Sequence, residues 1–235
     1  MALNLIWHGH STWSIHTESH KILLDPFFSG NPAADISADE VEADEILLSH
    51  GHGDHVGDRG DGTYDAVVIA KRTNAHVVAT YEIANWLLTK GVEKCTGMNL
   101  GGQLKLPFGS VRMVPALHSN SLPDGTYGGM PAGYVVEAGG RRVYFASDTA
   151  LFSDMKLIGE LGLDAAVLPI GDIYTMGIED SIRAVHFLQP KHVLPTHYNT
   201  WPPIEQDAEA WATQVKSETS ATPHVLQPGQ SFHLG

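Results

Sequence analysis

The sequence predicts an α/β protein in which a run of strands comes first and strands alternating with helices follow. Three observations carry this reading. Short β-rich runs punctuated by Gly, Pro and Asn fill the first quarter of the 235 residues; apolar residues then recur at helical spacing between further strand-like runs; and the second half repeats the plan of the first. A chain of this length, with 43% hydrophobic and 17% charged residues, buries roughly 70–75% of its unfolded surface. One domain over 1–235 is therefore expected.

Taken in order, strands are expected over 3–7, 12–16, 21–25 and 45–49. A helix over 64–72, a strand over 76–80 and a helix over 82–90 come next. Ile83, Trp86 and Leu87 share one face of that helix, and Gly91 ends it. Strands return over 103–106, 110–116, 134–138 and 142–147, with Gly139-Gly140 turning the last pair as a hairpin. Helices over 155–161, 179–188 and 204–216 then alternate with strands over 165–170, 192–196 and 224–227. The helix over 204–216 has the clearest signature. Ile204, Ala208, Trp211, Ala212 and Val215 form an apolar stripe, Glu205, Asp207 and Glu209 lie near its positive end, and Lys216 lies near its negative end. Such a stripe covers a sheet. The longest irregular stretches, 26–43 and 119–132, read as loops over a site.

Composition narrows the function. Fourteen Lys and Arg against 27 Asp and Glu give a net charge of −13, which disfavours a long nucleic acid as partner. No window approaches the ~20 apolar residues of a membrane span, and Met1 to Ser11 lack the basic and apolar regions of a signal peptide. A soluble, cytoplasmic protein without membrane insertion is expected. Cys95 is the only cysteine, which excludes an internal disulfide and any metal site rich in thiolates. A metal here must be held by nitrogen and oxygen.

Histidine, by contrast, numbers 14, and its positions are spread along the chain instead of forming a terminal tag. The apolar run Ile46-Leu47-Leu48 opens into Ser49-His50-Gly51-His52-Gly53-Asp54-His55, three imidazoles and a carboxylate at the end of a strand. Glycines at 51, 53 and 57 let the backbone turn tightly enough for those side chains to converge. Neutral imidazole with carboxylate suits zinc, manganese or iron. A polar loop whose histidines merely face water would explain neither the strand on one side nor the alternate glycines. His118, Asp148 and His197 share the setting, each directly after a predicted strand, and strand ends are where a rigid scaffold presents binding groups.

The arrangement His50-Gly51-His52-Gly53-Asp54-His55, followed in order by His118, Asp148 and His197, resembles the signature of the metallo-β-lactamase superfamily. More narrowly, Trp7-His8-Gly9-His10-Ser11, Leu24-Asp25-Pro26, Phe145-Ala146-Ser147-Asp148-Thr149 and Pro195-Thr196-His197-Tyr198-Asn199-Thr200 are similar to its small stand-alone branch of uncharacterised metal-dependent hydrolases. That branch is related to bacterial sugar-phosphate lactonases and an amide-lipid phospholipase D. The resemblance spans nearly the whole chain. It implies a four-layer αββα sandwich of two similar halves, with two metals at one edge between the sheets. It also implies that His50, His52 and His118 hold one metal, that Asp54, His55 and His197 hold the other, and that Asp148 bridges them. Two divalent ions, zinc first and manganese or iron after it, are the expected cofactors. Their mutual repulsion calls for anionic partners, and Asp54, Asp148 and a bridging hydroxide supply them. Coordination lowers a water's pKa from about 15.7 to about 7, so the hydroxide is the expected nucleophile.

Asp54, also a ligand, and His10 are the candidate catalytic residues. Two readings stand for His10: it lines the pocket, orients substrate or protonates a leaving group, or it is a turn histidine that bonds to a ligand. His8 is a weaker version of the same case. Asp25 is a candidate to fix a ligand imidazole, and Asn120 and Tyr198 follow ligands and either face substrate or secure their loops. His16, His20, His76, His186, His192, His224 and His233 read as surface residues.

The expected function is hydrolysis of a small ester, lactone, thioester or phosphodiester. A β-lactamase proper fits the fold, yet many zinc lactamases place cysteine or histidine where Asp148 stands. A flavodiiron oxidoreductase has glutamate where His52 stands, together with a flavin domain for which there is no room. Nuclease members add a domain or a basic arm. From a different class, a non-catalytic metal-binding or regulatory module on the same fold is the alternative, and the full set of seven ligands argues against it.

Overall fold

The computed structural model describes residues 3–235 and arranges their strands in two seven-stranded sheets. The first sheet takes β1 (Leu3–Trp7), β2 (Trp13–His16), β3 (Lys21–Leu24), β4 (Glu45–Leu47), β5 (His76–Thr80) and β6 (Cys95–Met98), side by side in that order. The second takes β7 (Gln103–Leu106), β8 (Gly109–Pro115), β9 (Ala132–Ala138), β10 (Arg141–Phe145), β11 (Ala165–Pro169), β12 (His192–Thr196) and β13 (Thr222–Pro223). Last in the chain, β14 (Ser231–Leu234) returns to the first sheet and pairs antiparallel with β1, Leu234 opposite Leu3. In both sheets an antiparallel meander precedes parallel strands: β3 to β6 run parallel, as do β10 to β13. β14 thus gives the first half the outer antiparallel strand that β7 gives the second.

Parallel neighbours need crossovers; an irregular loop over 25–44 joins β3 to β4, and helices supply the rest. α1 (Gly53–Val56) and α2 (Asp65–Thr73) join β4 to β5, and α3 (Tyr81–Thr89) joins β5 to β6. In the second half α4 (Met155–Gly159), α5 (Ile178–Leu188) and α6 (Ala208–Glu218) do the same work between β10 and β13. The strand period of two sorts side chains between layers. Leu23, Ile46, Leu48, Val77 and Ala79 cluster with Ile69 of α2 and with Ile83 and Leu87 of α3. Their neighbours Ile22, Leu24, Leu47 and Val78 point the other way and cluster with Val111, Met113, Tyr134 and Phe145 of the second sheet. Ile182, Val185, Trp211 and Val215 of α5 and α6 join that larger core. The layers are therefore helices, sheet, sheet, helices, the expected αββα sandwich of two similar halves. No helix among the described residues is long and apolar enough to cross a membrane.

Polar bonds pin the two sheets to each other. The Tyr134 hydroxyl donates to the Leu48 carbonyl at 2.8 Å, and the Trp13 indole donates to Thr196 Oγ1 at 3.1 Å. Near one end of the sandwich the buried His10 carbonyl accepts from Trp7 Nε1 (2.9 Å), Thr196 Oγ1 (2.6 Å) and His197 N (3.1 Å). That single oxygen fixes the β1–β2 turn against the end of β12.

Four expected strands, over 3–7, 76–80, 103–106 and 192–196, match residue for residue. Two expectations differ by more than their ends. Pro202-Pro203 form a separate 3-10 turn, and α6 begins only after Asp207, whose side chain accepts from Glu209 N and Ala210 N. Ile204 is buried through that turn instead of through the helix. The strand expected over 224–227 is displaced to β13, because the chain leaves β12 after Pro223 and heads through Pro228-Gly229 towards β14. β6, α1 and β14 carry too little periodicity to be expected at all.

Of the three glycines in the histidine segment, Gly57 alone takes a left-handed φ, +71°, where it caps α1. A Cβ there would also overlap the Asp65 side chain and the Pro26 carbonyl, whereas Gly60 has φ +78° with open space around it. Both substitutions to Ala incur roughly 1–2 kcal/mol of backbone strain. Gly57→Ala adds the overlap, so urea unfolding should show a loss well beyond that of Gly60→Ala; equal losses would remove the packing argument.

Candidate metal centre

His50, His118, Asp148 and His197 each lie within three residues of the C-terminal end of β4, β8, β10 or β12. One strand belongs to the first sheet and three to the second, so their side chains meet between the sheets at one end. His52 precedes α1, while Asp54 and His55 ride on it. Gly51 is required by contact and not by conformation: a Cβ on it would lie 2.9 Å from Leu122 Cγ. Asn120 holds this segment, accepting from Gly51 N at 2.8 Å and donating to the Gly128 carbonyl at 2.8 Å, which gives it the loop-securing role.

The candidate ligands converge in overlapping groups, one of which joins His50, His55 and Asp148. Donor atoms of His50, His52 and His118 lie within 4.8 Å of one another, as do those of Asp54, His55 and His197, with His10 among the latter. Asp148 stands between the groups. Its Oδ2 lies 3.1 Å from His197 Nε2, 3.6 Å from His118 Nε2 and 4.0 Å from His50 Nε2, and its Oδ1 lies 3.3 Å from His55 Nε2.

Behind this set is Asp25, completely buried at the end of β3. Its carboxylate accepts from Ser49 N at 2.8 Å and Ser49 Oγ at 2.6 Å and lies 2.9 Å from His55 Nδ1. With Nδ1 bonded to Asp25, His55 turns Nε2 toward Asp148. His10, also fully buried, has Nδ1 2.8 Å from Thr200 Oγ1 and Nε2 3.1 Å from Asp54 Oδ2, and its ring lies 4.2 Å from that of His197. If the Thr200 hydroxyl donates to Nδ1, the imidazole proton sits on Nε2 and points at Asp54. His8 instead bonds Asp35 at 2.7 Å and Ser14 at 2.8 Å, outside the cluster, and Tyr198 is buried against Trp7 with rings 5.2 Å apart.

Burial depresses the pKa values of His50, His52 and His118, with the nearby His55 adding to the effect, so these imidazoles are neutral and present lone pairs. Burial and His197 likewise lower His10 to about 4. Burial also opposes charge on His55 and Asp148, but electrostatics wins at both. The Asp148 and Asp25 carboxylates raise His55 well above the usual imidazole range, and His197 and His55 hold Asp148 well below the usual carboxylate range. Asp54 is lowered too, its burial outweighed by the His10 bond and by His55. The site thus offers ionised oxygens and neutral imidazoles at His50, His52 and His118, while His55 would exchange its proton for a cation.

Two features fit a cation directly. His50 Nε2 and His52 Nδ1 lie 3.0 Å apart, so one donates its proton to the other unless a cation takes both lone pairs. His55 Nε2 and Asp148 Oδ1 are buried facing each other at 3.3 Å and neither makes a well-aligned hydrogen bond, an arrangement that a shared cation would satisfy. Nitrogen and oxygen donors alone converge here, the donor set of zinc, manganese or iron. A cavity of about 260 Å³ opens over the cluster. His52, Asp54, His118, Asp148 and His197 form its floor, Ser119, Tyr174 and Trp201 its walls, and His10 is not among them. Tyr174 and Trp201 carry no mark in the sequence, and Thr200 is marked only as the last residue of the motif around His197. Thr200 and Trp201 follow His197 closely enough to have been suspected, whereas Tyr174 reaches the site only through the loop after β11.

The chain is similar throughout to known metal-dependent hydrolases. Residues 20–198 match the family model described as the beta-lactamase superfamily domain. A UPF0173 metal-dependent hydrolase from Thermus thermophilus is 50% identical over 226 residues, 96% of each chain. One from Geobacillus thermodenitrificans is 47% identical over 237 residues, 99% of this chain and 100% of the relative. Among solved structures, Igni18, a metallo hydrolase from the archaeon Ignicoccus hospitalis, superposes with a TM-score of 0.89 at 34% identity, over 100% of this chain and 99% of that one. The chain therefore belongs to the β-lactamase superfamily, among its UPF0173 metal-dependent hydrolases.

Proposed function

We propose that this metal-dependent hydrolase carries a dinuclear centre and cleaves a small ester, lactone, thioester or phosphodiester. The observation that carries the reading is the division of the donors into two groups with Asp148 between them. His50, His52 and His118 would hold one ion, and Asp54, His55 and His197 the other, with Asp148 shared. Zinc suits this imidazole-rich set ahead of manganese or iron. Two divalent ions held there supply an activated water as nucleophile at neutral pH and polarise the bond under attack.

The chain's own groups do the rest. Asp25 fixes the tautomer and direction of His55, and Ser49 fixes Asp25. Asp54 lines the cavity and is suited to orient the attacking water. His10 engages Asp54 Oδ2 and is closed off from the cavity, which favours a positioning role over proton delivery to a leaving group. Tyr174 and Trp201 limit solvent at the walls.

Three measurements test this. Fully reconstituted protein should hold two metals per chain by elemental analysis, and Asp148→Ala should retain one; a wild-type protein that saturates at one sinks the dinuclear centre. On a panel of small esters, thioesters, lactones, phosphodiesters and β-lactams, turnover of lactones or phosphodiesters should exceed that of β-lactams. His52→Ala should lose at least about a hundredfold while its circular dichroism is kept. For His10→Ala, a positioning role predicts equal losses on activated nitrophenyl esters and on alkyl esters with poor leaving groups, together with reduced metal content. A loss confined to the poor leaving groups would assign proton transfer to His10.

A further inference from the structure

The walls of the cavity differ in kind from its floor. Beyond the candidate ligands they are Ser119, Tyr174 and Trp201, and no lysine or arginine lines the cavity among the described residues. Charge at the bond under attack would be met by metal ions held on the floor. A phosphate or carboxylate elsewhere on a substrate would find aromatic rings and no counter-charge, in a chain of net charge −13.

Both aromatic walls are firmly built. The Trp201 ring lies 5.0 Å from that of His10 and 5.9 Å from that of Phe27, and the Pro202-Pro203 turn fixes the backbone behind it. Tyr174, 57% exposed, sits on the loop between β11 and α5, where Asp172 and Ile173 adopt consecutive left-handed φ values of 61° and 47°. That conformation is costly for a β-branched isoleucine. The loop is anchored at both ends. Gly171 meets the His197 carbonyl so closely that a Cβ would overlap it, and the buried Met176 donates its N–H to the Thr149 carbonyl at 3.0 Å, one residue from Asp148. Leu117, also exposed, donates its N–H to Thr149 Oγ1 at 3.0 Å and so borders the same loop. A strained, anchored loop that turns Ile173 and Tyr174 outward beside a metal centre adds nothing to the core; ligand contact accounts for it.

We infer that Tyr174 and Trp201 are specificity-determining residues that receive the non-reacting part of the substrate, and that this part is uncharged and apolar. The substrate class is then a small ester, thioester or lactone bearing an aliphatic or aromatic group, not one bearing a polyol or a distal phosphate. For its chemistry this rests on the hydrolytic reading above; the subsite itself does not.

The test pairs binding with turnover on the metal-loaded protein. Binding is measured by calorimetry for acetamide, butyramide and hexanamide, for an ether-containing isostere of hexanamide, and for an analogue ending in trimethylammonium. The matching nitrophenyl esters report KM and kcat. Kd and KM should fall with each methylene, by up to about fourfold for one fully buried. The ether and ammonium probes should bind less tightly than hexanamide. Tyr174→Ala and Trp201→Ala should flatten the chain-length dependence, Trp201→Phe should keep it, and Leu157→Ala, an exposed apolar residue on α4, should leave it unchanged. Metal content is measured for each variant, so a lost ion is not mistaken for a lost wall. Chain-length dependence in binding that the wall variants abolish, with no ester turned over, retains the apolar subsite and removes the hydrolytic reading. Ester turnover without chain-length dependence, or a preference for the ether or ammonium probe, overturns the inference and leaves the hydrolytic reading standing.

Discussion

A carboxylate as deeply buried as Asp148 costs several kcal/mol, of order the desolvation penalty of an ion, unless opposite charge and hydrogen bonds meet it. Four imidazoles surround it at 3.1–4.0 Å. They come from three strand ends of the two sheets and from α1, so the charge is balanced only when the sandwich is closed in the correct register. His55 shows how tight the arrangement is: it lies 2.9 Å from the Asp25 carboxylate on one side and 3.3 Å from that of Asp148 on the other. Removing either carboxylate unbalances the other two groups. A cation held by these groups would complete the balance, which would tie metal binding to the same electrostatics that shapes this end of the fold.

That balance depends on the sheets being locked together beside it. The three bonds to the His10 carbonyl join the turn after β1 to the end of β12, while the His10 ring reaches from the same residue to Thr200 and Asp54. Structural and chemical roles thus meet in one residue, through its backbone and its side chain respectively. A histidine closed off in this way is better suited to hold a ligand than to visit a substrate.

Most of the fold and the seven donors were legible because their signals are local. The alternation of Leu23, Ile46 and Leu48 against Ile22, Leu24 and Leu47 is written in consecutive residues, and His50 to His55 fall in one segment at a strand end. What stayed hidden is non-local. β14 is strand only because its partner β1 lies more than two hundred residues earlier, and β6, with Thr96 and Gly97 at its centre, takes its conformation from β5. The bonds of His10 to Thr200 and of Asp25 to His55 join residues that no periodicity connects. Tyr174 reaches the cavity through a loop whose conformation its own residues disfavour. Such positions violate local rules, which is why local reading cannot place them.

The same violation recurs around the centre in a form that explains its rigidity. His10, Asp25, Ser147 and His197 all hold left-handed φ between 44° and 53°, each shortly after a strand. Conformations of this kind cost roughly 1–3 kcal/mol each for residues other than glycine. Glycine would relieve the strain at any of the four, but it would remove the imidazole or carboxylate of three and the neighbour that aims Asp148 at the fourth. The strain turns each chain sharply off its strand and sends the side chain inward, across the open end of the sandwich. The two stiff sheets bear that cost with a core running from β1 to α6. The donors are therefore held by backbone geometry at the ends of rigid strands, which is the support a precise binding site needs.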